Sequence, residues 1–137
     1  MLRISIVDDS CDMRDLWRRV LEADGTFEVC AAGANGTAAV EIARQLHPDV
    51  MLLDLSMPGV GGLEALPMVL AESPATRVVI LSGFGRRSFA ERSKSAGAVG
   101  FLEKHLPVDT LVRRLSAVLG LPGAGDPADL GEQIVHW

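Results

Sequence analysis

The sequence predicts an α/β protein: a doubly wound, five-stranded parallel sheet in the order 2-1-3-4-5, flanked by five helices. Three observations predict it. Short apolar runs alternate with segments whose apolar residues recur at helical spacing, the signature of repeated βα units. The third run, Val50–Leu53, is apolar throughout, as a central strand covered on both faces must be. Four of the runs end in a polar residue able to do chemistry, and in such a sheet the carboxyl ends of the strands line one edge, where ligands bind.

The elements follow in order. A first strand over Arg3–Val7 leads into a helix marked by Met13, Leu16, Trp17, Val20 and Leu21, with Ser10 as its N-cap and Gly25 as its stop. A second strand covers Phe27–Ala31, and the turn Gly33–Gly36 opens a helix over Thr37–Leu46 that ends before Pro48. After Val50–Leu53 comes a loop from Asp54 to Gly62, then a helix over Leu63–Glu72 with Pro67 expected near its first turn. A fourth strand spans Arg77–Leu81, and a fourth helix spans Arg86–Ala96, closed by Gly97. The fifth strand is Val99–Leu102, and the fifth helix is Val108–Leu119, closed by Gly120.

Residues 1–120 thus read as one domain, a size that suits a single core. Residues 121–137 read as a Pro/Gly-rich linker and a tail that forms a short helix at most, too short for an output domain.

Composition excludes several classes. An apolar content of 48% does not fit a disordered chain, and no apolar run reaches the roughly 18 residues of a membrane span. Met1–Leu2–Arg3 runs straight into a strand, leaving no signal peptide to read. Cys11 and Cys30 form neither a disulfide framework nor a zinc pattern, so a cytoplasmic location is expected. The net charge of −5 argues against nucleic-acid binding by this segment. The charge is unevenly spread: residues 1–81 hold 6 Lys and Arg against 12 Asp and Glu, and residues 82–120 hold 7 against 3. Arg86, Arg87, Arg92, Lys94, Arg113 and Arg114 carry most of that basic stretch, and the tail acids Asp126, Asp129 and Glu132 are candidates to fold back across it.

The strand ends bring together Asp8, Asp9, Asp54, Ser82 and Lys104. Carboxylates crowded at one rim repel one another, and a divalent cation relieves that. Mg²⁺ suits a shallow site of oxygen ligands. Asp54, alone at the end of the most apolar strand, is the best nucleophile. A carboxylate beside Mg²⁺, an ammonium and a hydroxyl is what phosphoryl transfer to aspartate needs, since that chemistry rests on positioning and on charge cancellation at the equatorial oxygens. Each residue alone reads more simply as a turn, a cap or a solvated charge; the joint pattern does not.

These residues resemble the receiver domain of two-component response regulators. The resemblance covers about residues 3–119. It rests on Val7–Asp8–Asp9–Ser10, on Asp54 through Pro58–Gly59 to Glu64, on Leu81–Ser82–Gly83 and on Gly100–Phe101–Leu102–Glu103–Lys104. It implies a flavodoxin-like fold with Asp54 as phospho-acceptor. It implies that Asp9, Asp54 and the main-chain carbonyl of Ser56 bind Mg²⁺ directly, with Asp8 acting largely through water. Ser82 and Lys104 would bind the phosphoryl oxygens, and Ser82 and Phe101 would form the switch, Phe101 turning inward and reshaping the face made by the fourth helix, fifth strand and fifth helix. The implied partners are a histidine kinase or phosphotransfer protein and a downstream protein, with no membrane and with homodimerisation on phosphorylation as one option. Such a domain catalyses its own phosphorylation and dephosphorylation but is not a turnover enzyme. The alternative is a receiver-like interaction module that is never phosphorylated. One departure from the family pattern is Phe84, apolar where many receivers carry a polar group, which is expected to cover the acyl phosphate partly and slow its hydrolysis.

Overall fold

The computed structural model describes residues 1–83, 89–105 and 107–122, together with the backbone of 134–136. Its elements are β1 (Leu2–Val7), α1 (Cys11–Asp24), β2 (Phe27–Gly33), α2 (Gly36–Leu46), β3 (Val50–Asp54), α3 (Gly62–Glu72), β4 (Arg77–Ser82), α4 (Ala90–Ser95), β5 (Gly100–Glu103), α5 (Val108–Val118) and β6 (Ile134–His136). The sheet runs β2-β1-β3-β4-β5-β6. Its first five strands are parallel, as expected, and β3 lies at their centre.

Local signals explain the helix ends. The Ser10 hydroxyl accepts from the Met13 amide at 3.2 Å, capping α1, and Gly25 ends that helix at φ 81°. Asn35 caps α2 by accepting from the Ala38 amide at 2.8 Å. Pro67 sits in the second turn of α3 rather than the first, and the helix continues past it to Glu72.

Alternation along the strands divides the core between the two faces of the sheet. Ile4, Ile6, Val50, Leu52, Val79 and Leu81 pack with Trp17 and Leu21 of α1 and with Leu111 and Leu115 of α5. Val7, Met51, Leu53, Val78, Ile80 and Phe101 pack on the other face with Ala39 and Ala43 of α2, Leu66 and Val69 of α3 and Ala90 of α4. Every residue of β3 is buried, which explains why that run carries no polar residue before Asp54.

The tail departs from expectation. Residues 134–136 form not a helix but a sixth strand, antiparallel to β5, with Gly100 opposite His136, Phe101 opposite Val135 and Leu102 opposite Ile134. Among the described residues the fourth helix covers Ala90–Ser95, and Phe84, Arg86 and Arg87 lie outside the described residues. So do Asp126, Asp129, Glu132 and Trp137.

Candidate functional site

The site forms where β1, β3 and β5 end. β1 leads into Asp8 and Asp9, β3 ends in Asp54 and β5 leads into Lys104. Lys104 reaches across: its Nζ lies 3.2 Å from Asp8 Oδ2 and 3.2 Å from Asp54 Oδ2. Residues 96 and 50 positions away from the lysine therefore share one ammonium. Asp8 is fully buried, Asp54 is 1% exposed and Asp9 is exposed.

Main-chain groups fix these acids. The Ser10 amide donates to Asp8 Oδ1 at 2.9 Å, and the Ser56 amide donates to Asp54 Oδ1 at 3.3 Å. The loop after Asp54 doubles back closely: a Cβ on Gly62 would fall 2.3 Å from the Asp54 carbonyl oxygen. Only glycine allows α3 to start against the end of β3. Arg14 adjoins the site, and the sequence did not mark it. Its Nη1 donates to the Asp8 carbonyl at 2.7 Å and ties the first turns of α1 to the acidic loop. Its spacing from Asp8 places it on α1, but a long side chain bonding a main-chain carbonyl leaves no sequence signal.

Burial and the neighbouring Asp8 charge push the Asp54 carboxyl up to about 6, against the opposing pull of Lys104 and the Ser56 amide. Burial by itself lowers Lys104, but the charges of Asp54 and Asp8 outweigh it and hold the ammonium above its usual value. One ammonium does not neutralise three carboxylates. Ligand oxygens of Asp8, Asp9 and Asp54 lie within 4.8 Å of one another, and all are hard donors, so the set fits a small divalent cation such as Mg²⁺.

Ser82 is buried at the end of β4, where its hydroxyl donates to the Gly83 carbonyl at 3.1 Å, and its own carbonyl accepts from the Lys104 amide at 2.9 Å. Phe101 is 1% exposed: the ring expected to turn inward already lies inside. Ser56, whose carbonyl is the expected further ligand, is exposed in the loop after Asp54. The structure thus gathers Asp8, Asp9, Asp54 and Lys104 directly, and sets Ser82 on the adjoining strand.

Among the described residues, no helix is long and apolar enough to cross a membrane. The family described as response regulator receiver domain matches residues 4–116. The chemotaxis protein CheY of Listeria monocytogenes is 34% identical over 115 residues, covering 84% of this chain and 96% of that protein. The transcriptional regulatory protein DegU of Brevibacillus brevis is 34% identical over 117 residues, covering 85% of this chain but 50% of that protein, so the chain spans about half of that relative. Among solved structures, the signal receiver domain of the putative response regulator NarL from Mycobacterium tuberculosis superposes with a TM-score of 0.76 at 30% identity, covering 83% of this chain and 92% of that one.

Proposed function

The chain belongs to the response regulator receiver domain family, and on that footing we propose that it accepts a phosphoryl group on Asp54 from the phosphohistidine of a histidine kinase or phosphotransfer protein in the cytoplasm. The observation that carries this is the single Lys104 ammonium held 3.2 Å from both Asp8 and Asp54. It marks the place where negative charge is to be gathered and cancelled.

An Asp54 oxygen attacks phosphorus in line with the departing imidazole nitrogen. The new P–O bond forms as the P–N bond breaks, and the imidazole leaves with the electron pair. Lys104 and the Ser82 hydroxyl meet the equatorial oxygens. Asp9, Asp54 and the Ser56 carbonyl would hold Mg²⁺, with Asp8 behind them through water. When bound, that ion supplies charge neutralisation between the acids and the incoming phosphoryl group. Arg14 and the Ser10 amide keep Asp8 oriented throughout.

The product is a signal and not a released compound, so the domain works stoichiometrically. As Ser82 turns from the Gly83 carbonyl toward the phosphoryl group, the end of β4 tightens on β5. The population of packings around Phe101, α4, β5 and α5 shifts with it, and a downstream protein or a second copy reads that face.

Phosphotransfer with labelled acetyl phosphate and with a phosphorylated kinase domain tests the reading. Wild type is expected to take up one label with Mg²⁺ and none in EDTA, and Asp54→Asn is expected to take up none. Label on Asp54→Asn equal to wild type rejects Asp54. No label on wild type under any of these conditions favours the interaction module that is never phosphorylated.

A further inference from the structure

The outer edge of β5 is a strand-accepting surface, and the chain's own residues 134–136 occupy it. A parallel sheet of this kind leaves β5 as an edge with unpaired main-chain groups, a template for any extended segment. Here three residues from the far end of the chain complete it in antiparallel register, after α5 has carried the chain back along the sheet. Three residue pairs make a marginal strand, so modest forces decide whether it is docked.

The docking is not remote from the acidic site. Val135 lies opposite Phe101, whose ring is 1% exposed in the core face shared with Leu53 and Ala90. Ile134 lies opposite Leu102, two residues before Lys104. The Lys104 amide in turn donates to the carbonyl of Ser82. A continuous ladder therefore runs from the tail through β5 to the lysine that bridges Asp8 and Asp54. The docked tail and a buried Phe101 occur together, and an inward Phe101 is the packing that the resemblance to receiver domains attaches to phosphorylation.

We propose that residues 134–136 are an intramolecular ligand of the β5 edge whose docking and the phosphorylation of Asp54 favour one another. The proposal rests on the phospho-acceptor reading. By linkage, a phosphorylated site holds the tail more tightly, and a docked tail raises the site's affinity for its phosphoryl group to the same extent. Without phosphorylation the tail leaves more often, and the β5 edge opens to an extended segment of a partner.

Amide hydrogen exchange on the full chain tests this, with and without Mg²⁺ and beryllofluoride as a stable phosphoryl mimic. The comparison is wild type against the double variant Ile134→Pro/Val135→Pro. Successive residues of a strand point their N–H groups to opposite sides, so one of the two prolines must remove a ladder bond. Fluorine resonances of the bound mimic report independently whether Asp54 has taken it.

Wild type is expected to exchange more slowly at 134–136 and at 100–102 once the mimic is bound. The double variant should lose protection at 100–102 and need roughly five-fold more mimic, or beyond, for half-saturation. Exchange at 134–136 as fast as in an unstructured peptide in both states overturns the proposal. So does faster exchange with the mimic, or equal half-saturation in the two proteins while the mimic is visibly bound. Absence of bound mimic in wild type instead rejects the phospho-acceptor reading, and the coupling with it. The exchange difference between the two proteins without mimic then still reads whether the tail docks. Should the variant fail to fold, the change in wild-type exchange on adding mimic decides alone.

Discussion

Asp54 is both the reactive group and a burden on the fold. Its carboxyl is pushed up to about 6, first because it is buried and second by repulsion from the neighbouring Asp8 carboxylate. A folded-state value raised above the unfolded one means that the ionised form opposes folding. The penalty is absent below the unfolded value of about 4, grows as pH rises through 6, and is complete above it. Asp54→Asn is therefore expected to stabilise the metal-free protein by about 1–3 kcal/mol at pH 8. The gain should fade toward zero as pH is lowered to about 4. Urea unfolding in EDTA across that range checks it; a gain that does not shrink on acidification contradicts it. Lys104 is the counterweight, since its ammonium is shared by the two acids. None of these energies was visible in sequence. The residue types and their places after apolar runs were, because the strand ends of a parallel sheet share one rim.

At the scale of elements, the loop between β3 and α3 decides where Asp54 points. Gly62 stands where any side chain would meet the Asp54 carbonyl oxygen at 2.3 Å. Gly62→Ala is expected to cost about 1–3 kcal/mol by forcing α3 away from β3, and to weaken Mg²⁺ binding because Ser56 lies in the displaced loop. Thermal unfolding and a calorimetric Mg²⁺ titration check both; unchanged metal affinity would uncouple the loop from the site. The sequence marked most elements well. Ser10 and Gly25 announced α1, and the apolar run Val50–Leu53 announced β3. It did not announce β6, for a physical reason. Ile134–His136 is too short for a period to show, and it becomes a strand only because β5 presents an edge for it to complete. Pro67 lies one position deeper in α3 than expected because the helix begins one residue earlier, at Gly62. Arg14 went unnoticed because its partner is a main-chain oxygen rather than a charge.

At the scale of the whole molecule, the sheet separates two apolar layers that do not mix. Leu52 packs toward α1 and α5, while Leu53, its neighbour along the chain, packs toward α2, α3 and α4. Leu52 instead shares its face with Val79, which sits opposite it on β4. Truncations of Leu52 and Leu53 to valine are expected to add within about 0.5 kcal/mol, whereas Leu52→Val with Val79→Ala should deviate from additivity by about 0.5 kcal/mol or more. Double-mutant cycles by chemical denaturation check this, and strong coupling between Leu52 and Leu53 would contradict it. The protein is thus insulated from itself. A hole opened beneath α1 is felt by residues far along the chain and not by the one next door, so an inherited change on one side leaves the opposite side free to vary, and the two halves can be tuned for different associates without renegotiating the chemistry at their shared rim.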